Sequence, residues 1–188
     1  GMQGGTAATQ DVFIEHVGMP ILACIPQAVK ALQDLGMHRK VQLIVSGGIR
    51  TGADVAKAMA LGADAVAIGT AALIALGDND PKWESEYQKL GTTADAYDDW
   101  HEGRDPAGIT TQDPELSKRF DPILGGRRLK NYLKVMTLEA QTIARACGKN
   151  HLHNLEPEDL CSLTIEAAAM AGVPLAGTNW IPGRTGGF

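Results

Sequence analysis

The feature that most constrains this chain is the run from Val41 to Leu76, VQLIVSGGIRTGADVAKAMALGADAVAIGTAALIAL. Val41 to Val45 is mostly apolar and β-branched and stops at Ser46-Gly47-Gly48, the pattern of a buried parallel strand that runs into a tight loop. Thr51 and Asp54 stand at the spacing of a capping box, ahead of apolar Val55, Ala58, Met59 and Leu61, and Gly62 closes the helix so defined. Ala65 to Ile68 reads as a second buried strand, and Gly69-Thr70 opens another helix from Ala71 to Leu76.

Two successive strands thus each deliver glycine to the mouth of a helix. Free backbone N–H groups and the positive end of the helix dipole meet at such a mouth, which favours an anion. Glycine lets the backbone approach that anion closely, where a Cβ would hold it off. Either turn alone reads equally well as an ordinary βα connection. The two together, one βα unit apart, match the place where the last two loops of a (β/α)8 barrel hold a phosphate.

SGGIRTGADVAKAMALGADAVAIGT resembles the FMN phosphate site of flavin-dependent (β/α)8 barrels. The following AALIAL, the upstream GGTAAT and the downstream GITTQDPELSKRF narrow the resemblance to the FMN-binding synthase domain of glutamate synthases, over most of residues 1 to 125. The tail, HNLEPEDLCSLTIEAAAMAGVPLAGTNWIPG, is similar to a narrower branch, the glutamate-synthase-like subunits of N-methylglutamate synthases (methylamine-glutamate N-methyltransferases). The resemblance implies an α/β fold: the C-terminal part of an FMN-binding (β/α)8 TIM barrel, followed by a helical C-terminal extension. It implies that residues 1–78 are barrel units, 79–125 a loop region replacing an iron-sulfur segment, and 126–188 a helical extension and tail.

Size and composition are compatible with this. A chain of 188 residues with 44% hydrophobic and 21% charged residues can bury a core, so disorder is not expected. A formal charge of −5 without a basic block argues against nucleic acid or an anionic membrane as partner. No apolar run approaches the ~20 residues that span a bilayer, and the N-terminus has no signal-peptide pattern; a cytoplasmic protein is expected. Cys24, Cys147 and Cys161 are odd in number and widely spaced, so buried unreactive thiols are expected rather than disulfides or a zinc site. A complete (β/α)8 barrel needs about 250 residues, whereas strand signals here end before residue 70. A partial parallel sheet would leave open edges. The missing N-terminal barrel half, or a chain supplying it, is therefore an expected partner, and the family resemblance adds glutamine-amidotransferase-like and other glutamate-synthase-like subunits.

Taken in order, Gly1 to Gln10 is a glycine-rich loop. The resemblance puts Gln3, Gly4, Gly5 and Thr6 near flavin and substrate, although Met2-Gln3 replaces the family's usual His-Asp; a flexible segment is the alternative. Asp11 to Gly18 reads as a short helix with Val12, Phe13 and Val17 buried, Ile21 to Ile25 as a strand, and Pro26 as the first residue of a helix to Leu35. Asp113-Pro114 marks a helix start. A long helix is predicted from about Leu129 to Cys147, with Arg127-Arg128 before it as a solvated or interface feature. A further helix is predicted to begin at Pro157 and carry an alanine face of Ala167, Ala168 and Ala171. His151 and His153 lack a carboxylate or cysteine to complete a metal set, and Trp180 in the tail calls for a covering surface.

Glutamate synthases carry three cluster-binding cysteines in the region after Leu76. Aligned on Pro106 to Gln112, those positions hold Asp105, Trp100 and approximately Ala94, so no iron-sulfur cluster is expected there. His101, Glu102, Arg104 and Asp105 either fill the space with hydrogen bonds and ion pairs or form an exposed polar loop. For FMN, the resemblance assigns the phosphate to the N–H groups of Gly48 and Gly69, with Gly47 and Thr70 shaping the loops, Ser46 near the ribityl chain, and Arg50 at the phosphate or capping a helix. No catalytic acid, base or nucleophile stands out, and no metal is expected. With no cluster to bring in electrons, a redox-neutral flavin cycle becomes attractive: hydride leaves glutamate, methylamine replaces ammonia at the imine, and the hydride returns to give N-methylglutamate. The alternatives are a conventional glutamate synthase reducing 2-iminoglutarate with external electrons, and a non-catalytic assembly subunit.

Overall fold

The computed structural model describes residues 1–2, 11–90 and 104–184. The elements are helix α1 (Asp11–His16), α2 (Ile21–Asp34), strand β1 (Ile44–Ser46), α3 (Gly52–Ala60), β2 (Ala65–Ala67), α4 (Thr70–Leu76), α5 (Glu84–Lys89), α6 (Pro114–Ser117), α7 (Pro122–Ala146) and α8 (Ile165–Ala171). The chain is α/β, with a short parallel sheet among many helices. It divides into two compact units: one of Gly1, residues 19–67 and 136–188, the other of residues 2–18 and 68–135.

The first unit holds the sheet. β1 and β2 pair in parallel with Ile44 opposite Ala65 and Ser46 opposite Ala67, so both strands leave the sheet at the same edge. Each is shorter than its sequence predicts. Before Ile44 the chain is held instead by the Asp64 carboxylate, which accepts the Leu43 N–H at 2.7 Å, and by the Asp64 N–H, which donates to the Leu43 carbonyl at 2.8 Å. The expectation of strands buried on both faces is corrected: Val45 is buried, while Ile44 is 65% exposed and Ala65 and Ala67 on the same face are exposed. Helices α2 and α3 contact the strands, and the Ile44 side has no such cover among the described residues.

Ile21 to Ile25 is helix rather than strand. The Cys24 N–H already donates to the Pro20 carbonyl at 3.2 Å, and Ile21, Leu22, Ile25, Ala28, Val29 and Leu32 continue one helical stripe. Pro26 lies inside α2, where its missing N–H leaves only the Leu22 carbonyl without its helical donor.

α3 is set by its cap: the Thr51 hydroxyl accepts the Asp54 N–H and the Asp54 carboxylate accepts the Thr51 N–H at 2.9 Å, a complete capping box. One face of α3 is alanine, and Ala56 and Ala60 pack with Ala144 of α7 and with Leu155, which Ile143, Cys147, Leu152 and Leu160 surround. Small side chains bring the two helices close. At the α3 start the approach is closest, and a Cβ added to Gly52 would stand 2.2 Å from the Met136 carbonyl oxygen and 2.5 Å from Glu139 Cβ. The helix predicted from Pro157 is a single 3-10 turn, Pro157–Asp159, and the alanine face belongs to a separate helix, α8, capped by Thr164. There Ala168 and Ala171 are buried, and α8 packs on α2.

In the second unit, the expected burial of Val12, Phe13 and Val17 is overturned, since each is at least half exposed. α7 begins at Pro122, earlier than predicted, because the Asp121 carboxylate accepts the N–H groups of Ile123 and Leu124 at 2.9 and 3.1 Å. Asp113 caps α6 in the same way, and the N–H groups of Leu116 and Glu115 hold its carboxyl below the ordinary range.

Two substitutions test the α3 packing by chemical denaturation of the native protein. Thr51→Ala removes a cap and is expected to cost about 1 kcal/mol. Gly52→Ala, facing backbone that cannot yield, is expected to cost about 1–3 kcal/mol and to be the worse of the two.

Candidate functional site

At the edge where the strands end, the chain turns sharply after β1. Gly47 and Gly48 have successive positive φ values of 119° and 69°, which L side chains rarely adopt. Ile49 is buried and anchors the turn, while Ser46 and Arg50 are exposed on either side of it. The Gly1 nitrogen lies 2.9 Å from the Ser46 carbonyl oxygen. Gln3, Gly4, Gly5 and Thr6, expected at the substrate, lie outside the described residues.

The mouth of α3 differs from its sequence expectation of free N–H groups and an open dipole. The N–H groups of Arg50 and Thr51 both donate to the Asp54 carboxylate, at 3.0 and 2.9 Å. The Gly52 N–H donates to a Glu139 carboxylate oxygen at 2.9 Å, and the Asp54 N–H to the Thr51 hydroxyl. Two carboxylates thus take the N–H groups of the N-cap and of the first helical residue, which weakens the positive end of this helix. Any anion at the first turn has to be met by the Gly47-Gly48 backbone upstream of Arg50 rather than by the helix end.

The second turn has a different character. Gly69 is the N-cap of α4, exposed, with no side chain capping the helix, and Thr70 beside it is also exposed. A Cβ built on Gly69 meets no heavy atom within 4 Å. Among the described residues nothing lies over this position, so a phosphate has room to approach the backbone. Taken separately, Gly47-Gly48 is a turned backbone and Gly69-Thr70 an uncapped helix start, and each has the glycine that close approach of a phosphate requires.

The second unit has a polar centre in which Asp105 meets the first of its two sequence alternatives, filling space with hydrogen bonds, while the parts taken by Tyr87 and Asp78 were not anticipated. Of the three positions aligned with cluster cysteines, Trp100 and Ala94 lie outside the described residues, as do His101 and Glu102. Asp105 is described, and it is 1% exposed. Its carboxylate accepts the Tyr87 hydroxyl at 2.7 Å and the N–H groups of Ala107, Ile109 and Thr110 at 3.0, 2.7 and 2.7 Å. A buried carboxylate is tolerable only with such a set of donors. The Tyr87 hydroxyl also lies 3.1 Å from Asp78, and Tyr87 and Asp78 are each 3% exposed. Burial, the hydrogen bond to Asp105 and the nearby carboxylate charges push the Tyr87 phenol far above its ordinary range, so it stays protonated. Asp105 is thus a buried organiser of its loop, and Arg104 beside it is exposed.

Around this centre Trp83 lies under two cations, Lys82 at 4.7 Å and Arg119 at 5.2 Å from its ring. Arg119 also pairs with Glu86 at 2.8 Å and donates to the Pro106 carbonyl at 3.1 Å. A cleft next to it is lined by Leu76, Phe120, Leu124 and Arg128. Arg128 stands 3.9 Å from Asp80, and both Arg127 and Arg128 are exposed on α7.

His151 and His153 stack with ring centroids 5.1 Å apart, their Nδ1 atoms 3.3 Å apart, and His153 Nε2 reaches the Asp64 carbonyl at 3.0 Å. This ties the turn after α7 to the start of β2. Cys24 and Cys147 are half-buried; Cys161 is exposed, contrary to the expectation of burial. No group of three or more His, Cys, Asp or Glu among the described residues is arranged to hold a metal ion. No helix among the described residues is long and apolar enough to cross a membrane.

Comparison with known proteins accounts for most of the chain. A family model described as a conserved region in glutamate synthase matches residues 1–81 and 94–150. The glutamate synthase large subunit-like protein of Rhizobium meliloti is 86% identical over 184 residues, which is 98% of this chain and 42% of that protein. The archaeal glutamate synthase (NADPH) of Methanocaldococcus jannaschii is 42% identical over 82% of this chain and 27% of its own length. The ferredoxin-dependent glutamate synthase 1 of Arabidopsis thaliana is 30% identical over 82% of this chain and 8% of its own length. The chain thus spans well under half the length of these relatives, and the family match skips residues 82–93, the segment that carries Trp83 and Tyr87. With both βα turns and the Asp105 loop inside the matched regions, this chain belongs to the glutamate synthase family.

Proposed function

We propose that this chain supplies the phosphate-binding βα units of an FMN-dependent, glutamate synthase-type (β/α)8 barrel. In this view residues 1–78 are barrel units, 79–125 replace an iron-sulfur segment, and 126–188 form a helical extension. The barrel is completed by residues outside this sequence or by another chain, and glutamine-amidotransferase-like and other synthase-like subunits are its partners. The observation that carries the proposal is the exit of both strands at one edge, β1 into Gly47-Gly48 and β2 just ahead of Gly69. Parallel βα units place cofactor phosphates at that edge.

When bound, FMN supplies reversible hydride transfer. The N–H groups of Gly48 and Gly69 hold its phosphate, Gly47 and Thr70 set the loop shapes, and exposed Ser46 faces the ribityl chain. Arg50, whose own N–H is used by Asp54, offers its guanidinium to the phosphate. Gln3, Gly4, Gly5 and Thr6 line the substrate side. The reaction is the exchange of glutamate and methylamine for N-methylglutamate and ammonia, whose carbon skeleton begins and ends at one oxidation level. It needs no net electrons, in keeping with a carboxylate, Asp105, at a position aligned with a cluster cysteine.

The names of the relatives favour a second reading, a conventional glutamate synthase that reduces 2-iminoglutarate with electrons from outside. The two separate cleanly in the native complex. Under the first, anaerobic glutamate alone bleaches the flavin absorbance, and adding methylamine yields N-methylglutamate by mass spectrometry without a reductant. Under the second, glutamine-dependent turnover requires a reductant, and an unchanged flavin spectrum with glutamate alone would exclude the redox-neutral exchange.

The phosphate assignment has its own test. Gly69→Ala adds a methyl group where the fold leaves space, so the melting temperature is expected to hold. Flavin retention is expected to fall by about tenfold or more, the equivalent of one impaired charge-assisted hydrogen bond. Unaltered retention would remove Gly69 from the site.

A further inference from the structure

Residues 82–93 are the internal stretch that the family model leaves unmatched, and within it Tyr87 reaches two buried carboxylates that lie in matched regions. Asp78 belongs to the turn after α4, and Asp105 to the loop leading to α6. We propose that Tyr87 is a positioning residue by which helix α5 clamps the Asp105 loop, its hydroxyl held between Asp105 and Asp78.

The hydrogen-bond count supports this. A phenol has one hydrogen to donate. At 2.7 Å the Asp105 oxygen is the nearer acceptor, and that same oxygen also takes the Ala107 N–H, while its partner oxygen takes those of Ile109 and Thr110. The hydroxyl completes a four-donor set that lets Asp105 remain buried and lets the chain turn at Gly108, whose N–H returns to the Asp105 carbonyl at 3.1 Å. The same hydroxyl hydrogen is also within reach of an Asp78 carboxylate oxygen, at 3.1 Å, so the phenol lies between a nearer and a more distant acceptor. Helix α5 has further ties on the same side: Glu86 pairs with Arg119, and Arg119 reaches the Pro106 carbonyl next to Asp105. Tyr87 therefore acts through Asp105, and the residues it positions are Ala107 to Thr110. The clamp does not depend on whether FMN binds or which reaction the protein runs.

Hydrogen exchange of the native full-length protein reads this directly at the Ile109 and Thr110 amides. Tyr87→Phe keeps the ring and removes the donor. It is expected to speed exchange of these amides by about tenfold or more, the loss of one hydrogen bond to a charged group, while the α3 and α7 amides keep their protection. Asp78→Asn weakens only the more distant acceptor, leaving the hydroxyl to Asp105, and is expected to leave Ile109 and Thr110 within about twofold of the parent. Unchanged exchange in Tyr87→Phe would overturn the proposal, and so would equal loosening in both variants. If Tyr87→Phe does not fold, the Tyr87 hydroxyl proton is read by NMR in the native protein: a slowly exchanging, downfield resonance supports the clamp, and rapid exchange with water refutes it.

Discussion

The contact on which the first unit depends is the one between the start of α3 and the side of α7, where Gly52 gives its N–H to Glu139 and has no room for a Cβ. Everything near the glycine turn follows from it. The helices approach closely enough for Ala56 and Ala60 to meet Ala144, which fixes the axis of α3. Fixing α3 fixes where its N-terminus points and therefore where the Gly47-Gly48 turn must double back to reach it. A side chain at position 52 would push the helices apart and move the turn as a consequence.

The same contact has an electrostatic cost. A helix N-terminus attracts anions because its first N–H groups lack acceptors and the peptide dipoles add up there. In α3 those groups are spent on Asp54 and Glu139. The closure stabilises the helix and at the same time takes away the attraction that would have served a phosphate. A single such mouth is then a poor anion site.

Legibility from sequence follows the range of the interactions. The capping box of Thr51 and Asp54, the Asp113-Pro114 start and the breaks at Gly47-Gly48 depend on residues within a few positions of one another, and all could be read directly. The Asp121-Pro122 pair is a local signal of the same kind and starts α7 earlier than its apolar stripe alone predicts. Ile21 to Ile25 shows the limit of short apolar runs: five residues suit strand or helix, and only continuity with Ala28, Val29 and Leu32 settles which. Glu139 and Tyr87 were invisible for a different reason. Their partners, Gly52 and Asp105, are distant in sequence, and neither a glutamate in mid-helix nor a tyrosine in a polar stretch announces such a partner. Asp105 itself stood out only by replacing a thiolate, and its burial comes from three backbone N–H groups that no composition argument reveals.

The two glycine turns differ in what their backbones offer. Glu139 leaves the first turn with backbone donors but little helix field, whereas Gly69 at the second opens a helix with no capping side chain and no atom over its Cα. α4 spans only Thr70–Leu76, so its dipole is small, and its contribution is a pair of exposed N–H directions rather than a strong potential. Binding strength in such a site grows with the number of preorganised donors that converge, because each N–H held in place by the fold adds its bond without further ordering cost. Gly47 and Gly48, locked by positive φ and by the buried Ile49, meet that condition on the β1 side.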